Sequence, residues 1–209
     1  VLFVVVLNGA FMFASDLLKN INLLTSEVEF VKVSSYDGMT STEIQSILIK
    51  SAADLISLET PNYQYVAARL LLFQIRKSVF NTKWKDSKIY PPLKDIVTRN
   101  INYNVYDEEL ITYYDDEEWD MLDSYMKHDR DMLFTYAGLR QVVDKYLVQD
   151  RSDGKIFESP QYMYMLISAV LFKNYPKEKR LTYVKRYYEA VSTFKINIPT
   201  PIMAGLRTP

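Results

Sequence analysis

The run of residues 162–172, YMYMLISAVLF, is apolar on almost every side. Ser159 and Pro160 stand before it as a typical N-cap and first helical residue, and Asn174-Tyr175-Pro176 ends the helix. A helix without a polar face is buried all round rather than on one stripe. The chain is therefore predicted to be mainly α, with this helix in its interior.

Amphipathic helices are predicted on both sides of the central one. Thr40 and Glu43 form a capping-box pattern before a first helix, and Thr60 with Pro61 begins a second. Further helices are expected at residues 93–103, 116–126, 132–147 and 180–192. On the second helix, the side chains expected to face outward are Arg69, Arg76 and Lys77.

Short β-hairpins are predicted at two places. Asp153-Gly154 has the signature of a two-residue hairpin turn. Residues 1–18 form the most apolar run, and Asn8-Gly9 within it favours a tight turn between residues 1–7 and 10–13. The same run resembles a secretory h-region, but it lacks a basic n-region, and each apolar half is too short to span a membrane.

Composition limits the chemistry of the chain. The 209 residues carry a net charge of −1, no cysteine, a single histidine and five glycines. We therefore expect no disulfide, no thiolate chemistry, no metal site and no nucleic-acid partner. The seventeen tyrosines sit mostly at helical spacings, which favours packing over radical transfer.

Two charged clusters are predicted to be structural. Residues 115–118, DDEE, begin a helix, where carboxylates complement the helix dipole; consecutive carboxylates cannot converge on one metal ion. Residues 128–131, HDRD, place the one histidine beside charges but have no nucleophile nearby. We expect a turn held by local salt bridges there rather than an acid–base site.

The C-terminal segment is predicted to change from helix to strand to turn. Ile196 and Ile198 alternate with Asn197 as in a strand, and Pro199 and Pro201 exclude a helix interior. The Pro-Thr-Pro turn would fix the hydroxyl of Thr200 in space. Such a turn suits the presentation of a small donor to a ligand, but a structural turn uses the same residues, and the residues alone favour the structural reading.

The run EAVSTFKINIPTPIMAG, followed by RTP, resembles the large (α) subunit of class I aerobic ribonucleotide reductases, at the entrance to their catalytic barrel. The resemblance continues upstream through SYDGMTSTEIQSILIKSAADLIS, TPNYQYVAARLLLFQIRK and HDRDMLFTYAGLRQVVDKYLVQDRSDGKIFES. It covers roughly residues 34–209 and is closest to bacterial and T4-type phage enzymes. It implies a degenerate ATP-cone-like module at residues 1–85, a helical domain at 86–195, and the first strand of an otherwise absent α/β barrel at 196–209.

The resemblance also assigns candidate site residues. Thr200 matches a threonine that holds the diphosphate end of the substrate, and Ser41 and Lys77 match contacts of the ATP or dATP effector. Gln45 and Gln74 stand where the bacterial enzyme usually has histidine, and the V-x-K-R-D-G signature of the first cone hairpin is missing. We therefore expect the cone fold to be retained and a working ATP switch to be absent.

Reduction of a ribonucleoside diphosphate by this family requires cysteines, which these 209 residues lack. The resemblance thus implies an incomplete cytoplasmic enzyme chain, inactive alone, that contributes to deoxyribonucleotide synthesis for DNA replication. Its partners would be the remainder of the α subunit and a β subunit carrying a di-iron tyrosyl radical. Two origins, a split gene and a truncated product, stay open. The alternative function is a non-catalytic helical interaction module; a membrane or export role for the N-terminus is a third reading.

Overall fold

Two short strands open the chain in the computed structural model, which describes residues 2–7, 27–32, 40–80 and 90–209. Strand β1 (Leu2–Leu7) pairs in parallel with β2 (Glu27–Lys32), so that Leu2 lies opposite Glu27. The described partner of β1 is therefore not the adjacent segment of a hairpin, since hairpin neighbours are antiparallel. An apolar run predicts a strand without identifying its partner, and residues 10–13 lie outside the described residues.

Helix α1 (Ser41–Asp54) begins with the predicted capping box. The Thr40 hydroxyl accepts from the Glu43 amide at 3.3 Å, and the Glu43 carboxylate accepts from the Thr40 amide at 2.7 Å. Helix α2 (Tyr63–Phe80) begins two residues later than predicted, because the Thr60 hydroxyl donates to the carbonyl oxygen of Leu55 at 2.6 Å instead of capping it.

The middle of the chain alternates α-helices with short 3-10 helices. In order, these are α3 (Leu93–Asn102), η1 (Glu108–Thr112), α4 (Asp116–Tyr125), η2 (His128–Leu133) and α5 (Tyr136–Lys145). The single helix predicted for residues 132–147 is thus divided, since Thr135 caps α5 and its hydroxyl accepts from the Gly138 amide. Met132 and Leu133, predicted to face the core, are exposed on η2.

The predicted central helix is α6 (Pro160–Phe172), and residues 160–169 are all buried. Helix α7 (Lys177–Ser192) packs along α6, and α5 packs against α2. Buried apolar side chains form one core that extends from Ile49 in α1 to Met203 near the C-terminus. Arg76 on α2, predicted to face outward, is only 9% exposed, because this core surrounds α2 on the side that carries it.

The C-terminal segment ends in a helix. Residues 196–199 form no strand, and α8 (Thr200–Gly205) follows Pro199 directly. The predictions of a strand at Ile196–Ile198 and of a Pro-Thr-Pro turn are therefore wrong. The first amides of a helix have no intrahelical acceptor, so Pro199 as N-cap and Pro201 in the first turn are both tolerated.

The Asp153-Gly154 turn is wider than predicted. Gln149 and Ile156 form an isolated antiparallel bridge, and the Gly154 amide donates to the Asp150 carbonyl oxygen at 2.8 Å. Gly154 has a φ of 73°, a value that favours glycine. The chain therefore reverses here as predicted, but through a longer loop than a two-residue hairpin.

Candidate functional site

Thr200, the candidate substrate contact, is the first residue of α8, and it is exposed. Pro199 has a φ of −66° and a ψ of 147°, which fixes the direction in which the helix starts. The Tyr146 hydroxyl, at the C-terminal end of α5, lies 3.3 Å from the Thr200 hydroxyl. The two residues thus form a pair of hydroxyl groups outside the apolar interior.

A fully buried ion pair supports this hydroxyl pair. Arg207 and Glu158 both have no exposed surface, and Arg207 Nε lies 3.0 Å from Oε1 and 2.9 Å from Oε2 of Glu158. Arg207 Nη1 donates to the carbonyl oxygen of Met203 at 2.6 Å. Its Nη2 donates to the carbonyl oxygen of Tyr146 at 2.7 Å. One guanidinium therefore ties α8 to the end of α5.

Glu158 has two further donors. The Tyr106 hydroxyl bonds to Oε2, and the Val148 amide donates to Oε1 at 2.9 Å. Burial raises the pKa of Tyr106 well above its usual range, and the Glu158 carboxylate raises it further. Burial alone would lower the pKa of Arg207, but the Glu158 carboxylate more than offsets this, and the pKa is raised. The guanidinium thus stays charged in the interior.

A cavity of about 560 Å³ lies beside Tyr146. Its walls come from η2, α5, α6 and the segment that follows α7. The lining mixes apolar and polar groups: Phe134 and Phe194 are among the apolar side chains, and Thr135, Gln141 and Asn197 among the polar ones. Thr200 is not among the residues that line this cavity.

Three of the four positions matched to effector contacts lie together. Gln45 on α1 and Gln74 and Lys77 on α2 line a second cavity, of about 580 Å³, whose other wall is α5 and residues 149–156. Lys77 lies in the last turn of α2. Ser41 is the first residue of α1, and its side chain lies outside the described residues.

The HDRD segment is held by other helices rather than by local salt bridges, so that prediction is wrong. Arg130 on η2 pairs with Glu189 of α7 at 2.5 Å and donates to the Ser192 hydroxyl at 2.6 Å. Asp131 is fully buried, and its Oδ1 accepts from Gln161 Nε2 of α6 at 2.9 Å. Contacts of this kind, about 30 and 60 residues apart, leave no local pattern in the sequence.

Burial shifts the pKa values of two groups in this segment. Burial raises the pKa of Asp131 to about 7, although the Gln161 hydrogen bond and the Arg76 charge lower it. Burial lowers the pKa of His128 to about 4, and the Arg76 charge lowers it further. The imidazole also stacks on the Tyr90 ring, with centroids 3.7 Å apart. Both groups belong to packing between helices.

The acidic cluster lies at the start of α4, as predicted, and in addition it caps the helix. The Asp115 carboxylate accepts from the Glu118 amide at 3.0 Å, and Glu118 accepts from the Asp115 amide at 3.1 Å. Glu118 is buried and forms an ion pair with Arg180 of α7.

Within residues 2–7, 27–32, 40–80 and 90–209, no three His, Asp or Glu side chains converge as metal ligands. In the same part of the chain, no helix is long and apolar enough to cross a membrane.

Sequence patterns do not single out Arg207, Glu158 or Tyr146. Arg207 belongs to the R-T-P motif that carries the resemblance, and this motif is the one signal that could have found it. Glu158, directly before a helix cap, has the pattern of an exposed N-terminal carboxylate. Its burial depends on the return of the chain 49 residues later.

Two family models match the chain. An ATP cone domain matches residues 7–78, and a ribonucleotide reductase all-alpha domain matches residues 132–209. The predicted domain borders near residues 85 and 195 stay predictions.

Curated relatives share its sequence over most of its length. The chain is 48% identical over 190 residues to ribonucleoside-diphosphate reductase 1 subunit alpha of Escherichia coli K12. The matched residues make up 90% of this chain and 24% of the relative. It is also 48% identical over 182 residues to the reductase subunit alpha of Enterobacteria phage T4, covering 86% of this chain and 23% of the relative. Identity to the Helicobacter pylori subunit alpha is 32% over 197 residues, or 93% of this chain and 23% of the relative. The chain thus spans about a quarter of the length of the relatives it matches.

Proposed function

Because the chain belongs to the family of ribonucleoside-diphosphate reductase α subunits and corresponds to their N-terminal part, we propose that it takes part in reducing ribonucleoside diphosphates to deoxyribonucleotides in the cytoplasm. The observation that carries this proposal is the 48% identity to reductase subunits over 90% of the chain. The two family-model matches support it, because they fall in the order cone then helical domain.

The proposed contribution of this chain to the substrate site is Thr200. Its hydroxyl is exposed, and α8 and the Arg207–Glu158 pair fix its position. A hydroxyl in such a place donates to a phosphate oxygen without adding charge. Thr200 would therefore hold the diphosphate end of the nucleotide, as the matching residue of the family does.

The redox chemistry is proposed to come from other parts of the assembly. The 209 residues contain no cysteine, so the thiols that reduce the substrate lie outside them. We propose the remaining α-subunit sequence as their source. A β subunit with a di-iron tyrosyl radical would start the reaction, as the family resemblance implies.

For the cone module, we propose that the fold is kept while effector control is weakened. Gln45 and Gln74 line the cavity beside Lys77. At both glutamine positions the family resemblance leads one to expect histidine, so a neutral amide takes the place of an imidazole. An amide cannot take a proton to meet a triphosphate, so ATP would be held less firmly there.

Reconstitution tests the proposed function. The chain is mixed with a polypeptide carrying the remaining α-subunit sequence and with the β subunit, and reduction of CDP is measured with and without ATP. We expect reduction with all three components, little response to ATP, and a loss in kcat/KM of about tenfold for Thr200→Ala, because one hydrogen bond to a charged group is lost. Thr200→Ser, which keeps the hydroxyl, is the matched control.

Two results would contradict the proposal. A rate that does not rise when the chain is added would deny it a part in the reaction. A rate that rises equally with the wild-type chain and Thr200→Ala would favour the non-catalytic interaction module, since assembly alone would then explain the gain.

A further inference from the structure

The hydroxyl of Tyr146 lies next to that of Thr200, although Tyr146 precedes Thr200 by 54 residues in the sequence. The two oxygens are 3.3 Å apart, which is long for a hydrogen bond between hydroxyls, where about 2.7–2.8 Å is usual. A contact of this length is weak and is easily exchanged for a stronger acceptor. The pair is therefore suited to receive a third oxygen rather than to stabilise the fold.

The backbone of Tyr146 is fixed from both sides. Its amide donates to the Val142 carbonyl oxygen at 2.9 Å, and its carbonyl oxygen accepts from Arg207 Nη2 at 2.7 Å. The same guanidinium holds α8 through the Met203 carbonyl oxygen. One buried cation thus holds the backbone at both residues, and a shift of α8 relative to the end of α5 would disturb these hydrogen bonds.

The charges near Tyr146 favour an anion. Lys145 and Arg151 line a small cleft of about 170 Å³ together with Tyr146, Ala204 and Thr208. Both cations are exposed, so their field is screened by salt, but its sign attracts a phosphate group to this side of α8. The hydroxyls would then supply the directional contacts.

From this geometry we propose that Tyr146 is a second substrate-binding residue, whose hydroxyl donates to the diphosphate group together with that of Thr200. The proposal rests on the proposed function, because it uses the same substrate. An anionic oxygen between the two groups accepts one hydrogen bond from each, and these charge-assisted bonds replace the weak contact between the hydroxyls.

The test uses the reconstituted reductase with Tyr146→Phe, Thr200→Ala and the double variant. Tyr136→Phe, at the other end of α5, is the matched control. We expect Tyr146→Phe to raise the KM for CDP roughly 5- to 10-fold with kcat nearly unchanged, because it removes a contact made equally in the ground state and the transition state. Equilibrium dialysis should show the same fold-change in the Kd of CDP, and Tyr136→Phe should change neither value.

The double variant tests whether the hydroxyls act as a pair. If they share one phosphate oxygen and orient each other, its KM rises less than the product of the two single effects. An increase equal to the product would overturn the pairing. A raised KM for Thr200→Ala with an unchanged KM for Tyr146→Phe would overturn this inference and leave the proposed function standing. An unchanged KM for both would count against the proposed function as well, and a raised KM for Tyr146→Phe alone would contradict the pair.

Discussion

At the scale of single residues, the Arg207–Glu158 pair illustrates how burial changes the role of an ion pair. Both side chains are fully buried, and the guanidinium bonds to the Glu158 carboxylate and to the carbonyl oxygens of Met203 and Tyr146. Exposed ion pairs on the same molecule are different. Arg140 and Asp144 lie 2.8 Å apart on the surface of α5, with side chains 45% and 50% exposed.

Removal of one partner should therefore have very different costs at the two sites. Arg207→Met leaves the Glu158 charge buried without its partner, so we expect a loss of roughly 3–5 kcal/mol in the free energy of unfolding. The control Arg140→Met should cost less than about 1 kcal/mol, because water and salt already screen that pair. Urea unfolding followed by circular dichroism measures both. Equal losses in the free energy of unfolding for Arg207→Met and Arg140→Met would show that the buried ion pair matters no more to stability than the exposed one.

Asp131 and His128 should give the chain opposing responses to pH. The pKa of Asp131 is raised, so the folded state holds a proton that the unfolded state releases, and its stabilising effect is lost as pH rises through about 7. The pKa of His128 is lowered to about 4, so its contribution is lost as pH falls below the usual histidine value. The two effects largely cancel between pH 5 and 6.5.

Asp131→Asn should remove the pH dependence of stability that comes from Asp131 and leave that of His128. The amide oxygen of asparagine still accepts from Gln161, and the side chain no longer titrates. Relative to wild type, the variant should gain stability as the pH rises from 5 to 8, by roughly 2–3 kcal/mol across that range. Urea unfolding of both proteins at pH 5, 6.5 and 8 measures the difference. A constant difference would mean that Asp131 titrates alike in the folded and unfolded states.

At the scale of secondary-structure elements, the turn after α7 determines where the C-terminal segment goes. The Lys195 amide donates to the Ala190 carbonyl oxygen at 2.9 Å, and the Phe194 amide to the Val191 carbonyl oxygen at 3.1 Å. This is a Schellman motif, in which glycine usually occupies the left-handed position. Here the residue is Phe194, with a φ of 59°, and its ring packs edge-on against Phe134.

Phe194→Gly and Phe194→Ala should separate backbone strain from ring packing. Both variants lose the contact with Phe134, but only glycine adopts a φ near 59° without strain. We expect the glycine variant to be more stable than the alanine variant by about 1 kcal/mol, in spite of the greater freedom of glycine in the unfolded chain. Thermal or urea unfolding of the two proteins gives the comparison. An alanine variant of equal or greater stability would show that the turn stores no strain.

Local patterns predicted those elements whose causes are local. The capping box at Thr40, the acidic start of α4 and the apolar run of α6 depend on residues within a few positions of one another. The end of the chain was not predictable in this way. Pro199 and Pro201 suit a turn and the first turn of a helix equally well, and the contacts that accompany the helix are not local in kind: Met203 is buried in the core, and its carbonyl oxygen accepts from the buried Arg207. Thr200 was found by resemblance; its neighbour Tyr146 becomes visible only in three dimensions.

At the scale of the whole molecule, two matched family segments share one interior. The ATP cone model ends at residue 78 and the all-alpha model begins at residue 132, yet Leu72 and Ile75 of α2 belong to the same buried core as α5 and α6. Arg76 lies over the Tyr90 ring, 5.3 Å from its centroid, between the two segments. The two family-model matches thus divide the chain at a place where the buried core is continuous.

Because α2 packs on α1 and on α5 through one core, this core opposes a hinge motion between α2 and α5. If α2 tilted away from α5, Leu72 and Ile75 would be exposed to water, and the Arg76 guanidinium would lose its contact with the Tyr90 ring. Such a motion would resemble partial unfolding rather than a hinge movement of two intact domains. A structural change at α1 or α2 would then reach α5 and α6 through small shifts of packed side chains.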